Sequence, residues 1–252
     1  MTKYKKPLLF ALSLLPIAII AGIFVGYYQL DTYSEEIIAE VVAELGSTDV
    51  LFVIAVVQTL GYALLCGFFG YILADKIGLW KPIKFEKRSL IITLVISVVG
   101  GIVFSLDHWV FGSMIDSIQS GNAASLNLSG VIASVLYGGI IEEVMLRLFF
   151  MSLIAFIVWK LCFKKYNREN IPTSVFVIAN IVASLLFAAG HLPATLSSFG
   201  ELTSMLLFRC FLLNGGFGLV FGYLYRRYGI VYAMMAHALF HIVSKLIWFI
   251  FI

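Results

Sequence analysis

Charge is what this chain has least of. Asp, Glu, Lys and Arg supply 12% of its 252 residues and hydrophobic residues 62%, where a soluble domain carries about 25% charged residues. With a mean hydropathy of +1.03, that shortage excludes a soluble globular protein. It leaves a polytopic transmembrane helical bundle, an all-α fold whose solvent is the lipid bilayer. The net charge is only +3, and the positive residues fall between apolar runs rather than along a stripe, which excludes a nucleic-acid partner. Cysteine is scarce too. Cys66, Cys162 and Cys210 lie in or beside apolar segments without paired spacing, so they form neither a disulfide framework nor a CxxC site and read as small core residues. No internal repeat, low-complexity tract or soluble appendage interrupts the chain, and residues 1–252 read as one membrane domain.

Seven apolar runs have the length, roughly 20 residues, that crosses a bilayer: 7–28, 50–74, 90–111, 128–161, 172–189, 205–225 and 230–252. The first follows the basic run KYKK but is longer than a signal-peptide core and has no A-x-A site after it, so it is expected to stay as an anchor. At 1.5 Å per residue the fourth run would reach about 50 Å, against a hydrocarbon core near 30 Å. It is expected to tilt, break or divide, with Gly138 and Gly139 as the expected break, giving seven to eight helices. The acidic stretch 31–49 has room for a short surface helix.

Orientation follows from the loops. Lys3, Lys5 and Lys6 precede the first run; Lys76, Lys81, Lys84, Lys87 and Arg88 fill the second loop; Lys160, Lys164, Lys165 and Arg168 the fourth; Arg226 and Arg227 the sixth. The intervening loops carry Asp31, Glu35, Glu36, Glu40, Glu44 and Asp49, then Asp107 and Asp116, then Glu201, with no Lys or Arg. The positive-inside rule therefore places the N-terminus and the even-numbered loops in the cytoplasm.

Against this background, Glu142 and Glu143 stand side by side in the apolar stretch VIASVLYGGIIEEVMLRLFF, with Arg147 the one other charge. An acidic side chain at bilayer depth costs about 2.5 to 3.5 kcal/mol even on lenient insertion scales, so such a pair marks a functional site by default. Positions i and i+4 share a helix face, which pairs Glu143 with Arg147. Glu142 points about 100° away. Without a local partner, it is a candidate to accept a proton from water as a general base. Three histidines lie in later apolar segments: His191 in FAAGHLP, and His237 and His241 at i and i+4 in AMMAHALFHIV. By itself HxxxH is not the HExxH of a metalloprotease helix, and the acidic pair with Arg147 has a bland alternative as a structural ion cluster between helices. His108 reads as a hydrogen-bonded interfacial residue, Arg209 and Lys245 as snorkelling or paired cations, and Gly215, Gly216, Gly218 and Gly222 as helix-packing positions.

In combination these residues resemble a known family. EEVMLR (Glu142 to Arg147) fits an EExxxR motif, FAAGH (Phe187 to His191) fits FxxxH, and GYLYRRYGIVYAMMAHALFH (Gly222 to His241) is similar to the third signature of the CPBP family, the CAAX-protease and bacteriocin-processing intramembrane proteases. The resemblance runs from about Leu128 onward, making 1–125 a set of N-terminal helices and 126–252 the catalytic core. In one respect the chain departs from the pattern: the third motif usually ends in Asn or Asp, where this chain has His241.

The resemblance implies an intramembrane endopeptidase. Glu142 would be the general base, His191 would hold and polarise the attacking water, His237 and His241 would stabilise the oxyanion, and Glu143 and Arg147 would support them. The same resemblance leaves zinc open, with His191, His237, His241 and Glu142 as ligands; the metal-free arrangement is favoured, because a zinc site would still need a base. The substrate expected is a membrane-embedded or lipidated peptide, cut near the cytoplasmic face of a bacterial cytoplasmic membrane. No oligomeric state is implied. Two readings from other classes compete: a silent membrane scaffold or bacteriocin-immunity protein, and a proton-coupled secondary transporter, which the lack of a repeat disfavours.

Overall fold

A computed structural model describes residues 4–252; Lys3, the first of the N-terminal positive charges, lies outside the described residues. Seven helices are long and apolar enough to cross a membrane: α1 (Lys5–Thr32), α3 (Asp49–Ile77), α4 (Lys87–Val110), α6 (Leu128–Cys162), α7 (Thr173–Phe199), α8 (Ser204–Tyr228) and α9 (Ile230–Phe251). They make the chain an integral membrane protein. Two shorter helices complete the numbering, α2 (Glu35–Leu45) and α5 (Asp116–Ala124). The acidic loop thus holds the surface helix expected of it, and α2 buries none of its residues.

Among the described residues the candidate spans number seven and not eight, because the long fourth run does not divide. α6 runs unbroken from Leu128 to Cys162, and the stretches Ser134–Glu142 and Val144–Met151 are wound in wider, π-type turns. Such i→i+5 turns are frequent at functional sites, and they shorten the helix by packing more residues into each unit of length. Gly138 and Gly139 serve approach instead of breakage. A Cβ on Gly139 would lie 2.7 Å from Cα of Ala238, so only glycine lets the backbones of α6 and α9 meet here.

Packing in lipid cannot rest on hydrophobicity alone, since the tails are as apolar as leucine; small residues and internal hydrogen bonds take over. Gly22 on α1 faces Val56 and Thr59 on α3, where a Cβ would lie 2.6 Å from Val56 Cα. The Thr59 hydroxyl donates to the Ala18 carbonyl at 2.8 Å. Gly100 and Gly101 on α4 receive Phe240 and Val243 of α9. Over a contiguous apolar stretch of eighteen residues in each span, only 28% are buried in α1 and α4, against 44% in α6 and α9. The two helices carrying the acidic pair and the paired histidines are therefore central, and the remainder shield them from lipid.

Several single-residue expectations change. Cys66 and Cys210 are buried, but Cys162 is exposed at the end of α6, so it is no core residue. His108 is buried, and among the described residues its Nδ1 has no hydrogen-bond partner, so it is not the hydrogen-bonded side chain expected. Of the four packing glycines, Gly218 and Gly222 make the close approach, to Ser184 and Asn180, while Gly216 has nothing near its Cβ direction. Arg209 and Lys245 are both paired. Arg209 forms two bonds to the buried Asp107, at 2.7 and 2.6 Å, and the Lys245 ammonium donates to the Ser125 carbonyl at 2.7 Å and to its hydroxyl at 3.0 Å.

Candidate active site

α6 is held in place from its first turn. Asn127 caps it by accepting from the Gly130 N–H at 2.7 Å, and both Asn127 and Ser129 donate to Asp31 at the end of α1, at 2.8 and 2.6 Å. Fourteen residues on, α6 presents the acidic pair to α7, α8 and α9.

The two carboxylates have separate fates, as the sequence led one to expect. Glu143 is sealed, with no side-chain exposure, and its Oε1 takes Arg147 Nη1 at 3.1 Å and His237 Nδ1 at 2.9 Å. Arg147 in turn donates to the Gly218 carbonyl at 3.2 Å and lies over the rings of Phe187 and Phe221, 4.6 and 5.6 Å from their centroids. A buried charge pair is tolerable to the extent that its groups find partners; among the described residues Glu143 Oε2 and Arg147 Nη1 have no hydrogen-bond partner beyond the ion pair itself. Glu142, 12% exposed, instead faces His191, whose side chain is 33% exposed, with Oε1 and Nε2 3.9 Å apart. That gap is too long for a direct hydrogen bond and the right size for one bridging water.

His191 sits at the joint of α7. The helix pauses between Gly190 and Leu192, and Pro193 starts the second part at a position where no backbone N–H is needed. The His191 Nδ1–H donates to the Phe187 carbonyl at 2.9 Å. That bond leaves Nε2 as an acceptor toward Glu142.

The same reasoning fixes the other two rings. Glu143, paired with Arg147, is an acceptor, so His237 donates through Nδ1 and its Nε2 is a lone pair. His241 Nε2 lies 3.1 Å from His237 Nε2; of two facing nitrogens one must carry the proton, and His241 is the one free to do so. Arg147 and Glu143 form an ion pair, and Glu143, His237 and His241 form a chain of acceptors and donors that ends at the cavity. Phe221 stacks on the His237 ring, 4.4 Å between centroids, and holds its plane.

All four residues expected to be catalytic, Glu142, His191, His237 and His241, line one cavity of about 720 Å³. Its walls include Tyr28, Tyr62, Phe104, Phe150, Phe187 and Phe217, with Gln58, Tyr137 and Asn214 as further polar groups. Those three escaped the sequence reading. Tyr137 had a signal, since it stands five residues before Glu142 and wide turns put it on the same face; Gln58 and Asn214 had none. The lining includes Tyr28 and Thr32 in the last turn of α1 and Ser198 at the end of α7, so the cavity reaches toward the end of the bundle that carries the acidic loops. Among the described residues, no group of three or more His, Cys, Asp or Glu side chains is arranged to hold a metal ion. His237 and His241 bring two nitrogens to 3.1 Å, and His191 Nε2 lies 3.9 Å from Glu142 Oε1.

No curated protein and no solved structure matches the chain. Residues 124–243, just under half of it, match the family model of the Rce1-like type II CAAX prenyl endopeptidases, and over that stretch, which contains every residue of the site, the resemblance read from the three motifs is borne out.

Proposed function

We propose that the protein is an intramembrane endopeptidase that hydrolyses a peptide bond in a membrane-associated peptide or lipidated protein. The observation that carries this reading is the 3.9 Å gap between Glu142 Oε1 and His191 Nε2, both acceptors, both facing one cavity inside a membrane bundle. A water there gives one hydrogen to each and is left with its lone pair free. Its oxygen attacks the scissile carbonyl carbon as its proton passes to Glu142; the tetrahedral intermediate then collapses, the C–N bond breaks, and Glu142 returns the proton to the departing amine. The developing oxyanion competes for the N–H that His241 otherwise gives His237. Glu143 and Arg147 act one step removed, by fixing the His237 tautomer, as outer partners of site histidines commonly do. In this metal-free reading no step is routed through a metal ion.

The basic loops support a cytoplasmic N-terminus and a bacterial cytoplasmic membrane as the location. The test is profiling of membrane-associated peptides in cells expressing wild type or Glu142→Gln: products present with the first and absent with the second are expected. Identical profiles, with both proteins folded, would remove the hydrolase reading in favour of a silent scaffold.

A further inference from the structure

The two ends of the bundle differ in charge and in filling, and the differences coincide. At one end lie Lys81, Lys84, Lys164, Lys165, Arg226 and Arg227; at the other, the loops holding Glu35, Glu40, Asp49 and Glu201 contain no Lys or Arg. The half nearest the basic end is packed solid by Ile77, Leu148, Met151, Trp159, Val175 and Tyr225. The half nearest the acidic end is where the cavity lies.

Three of the helices that line the cavity agree on this, while α8 and α9 reach it from near their middles through Phe217, Phe221, His237 and His241. α1 contributes Tyr28 and Thr32, its last turn; α7 contributes His191 and Ser198, at its end; α3 contributes Ala55 and Gln58, in its first half. These helices run in alternating directions, yet each offers the cavity the part toward the acidic loops. Gln58, Gly190, Ala194 and Ser198 are exposed, so this is an opening and not a sealed void.

From this juxtaposition of cavity mouth and acidic end we infer that the site is loaded from the outer face of the membrane. Lys and Arg mark the cytoplasmic side of a membrane protein, and the packed half of the bundle stands between that side and Glu142. The substrate class is then a peptide or protein segment that has reached the outer leaflet, exported or membrane-inserted, and not a lipidated tail presented from the cytoplasm. The substrate assignment rests on the endopeptidase reading; the direction of the mouth does not.

Two measurements on the full-length protein in bacterial cells separate these parts. A membrane-impermeant maleimide should label Ser198→Cys in intact cells, while the native Cys162, exposed at the basic end, should react only after permeabilisation. Labelling of Cys162 in intact cells, with Ser198→Cys protected, would overturn the inference. In parallel, peptides are collected from the medium and the outer surface of spheroplasts, and separately from the cytoplasmic fraction, for wild type and Glu142→Gln. Glu142-dependent products are expected in the outer fraction. Products confined to the cytoplasmic fraction would overturn outward loading while leaving the protease intact; none in either fraction, with labelling as expected, would overturn the substrate class through the protease reading beneath it.

Discussion

Glu143 Oε1 and His237 Nδ1 meet at 2.9 Å, and this single bond decides what the His237 ring offers the cavity. A carboxylate can only accept, so His237 shows the cavity a lone pair and passes the task of donating to His241. Arg147 keeps Glu143 in that state. The same three residues that hold α6, α8 and α9 together thus set the protonation pattern of the site.

It follows that Glu143→Ala and Arg147→Ala should lose folded protein before activity can be judged. Each removes one member of a buried pair and strands the other, at a cost of about 3–5 kcal/mol. Glu142→Gln, a near-isosteric change at a side chain that lines the cavity, should keep its fold. Thermal melting in detergent checks both: a large drop in Tm is expected for the first two variants and little change for the third.

Glu142 and His191 should behave as one unit toward catalysis. Loss of a general base removes about 10²- to 10⁴-fold in rate, and once the water has lost one of its two acceptors the second has little left to contribute. The double variant Glu142→Gln with His191→Ala should therefore be no slower than either single variant. Turnover of a peptide substrate reports this directly, and multiplicative losses would show that the two do not share a water.

The glycines give a packing test. Alanine at Gly139 puts a methyl 2.7 Å from Ala238 Cα and must push α6 from α9, costing about 1–3 kcal/mol and lengthening the bond from Glu143 to His237. At Gly216, with nothing within 4 Å, alanine meets no neighbour and should stabilise its helix by about 0.5–1 kcal/mol. Activity should fall for Gly139→Ala and hold for Gly216→Ala, as melting and turnover together would show.

The sequence made much of this legible, for physical reasons that also explain the gaps. Spans are visible because twenty apolar residues are needed to cross lipid, and Glu143 with Arg147 because helical spacing fixes neighbours four residues apart. The unbroken course of α6 was hidden: a Gly-Gly pair reads as a weak point until the Ala238 backbone is seen to occupy the space. Asp107 read as a loop acid because its partner, Arg209, lies 102 residues away. The tautomers were out of reach for the same reason, since the bonds from Glu143 to His237 and from His191 to the Phe187 carbonyl depend on where helices cross and pause. The direction of the cavity mouth needed both sources, charge from the loops and depth from the packed helices.

His241 is where this chain leaves the pattern it resembles, and it offers the sharpest test of the metal-free reading. In the structure its Nε2 faces His237 Nε2 at 3.1 Å, and a donor is what that position requires. An Asn side chain supplies an N–H of its own, so His241→Asn should keep substantial turnover, whereas His241→Leu, with no donor, should lose about 10²-fold or more as the oxyanion goes unmet. Chelators should leave the wild type unaffected. A zinc ligand would behave in the opposite way: Asn is a poor substitute, metal affinity would collapse with His241→Asn, and chelator would inactivate the wild type until zinc was restored. Purified protein assayed with and without chelator, beside the two variants, separates these outcomes. Zinc-reversible inactivation together with a dead His241→Asn would show that the two converged imidazoles belong to a metal centre completed when substrate or ion draws His191 inward.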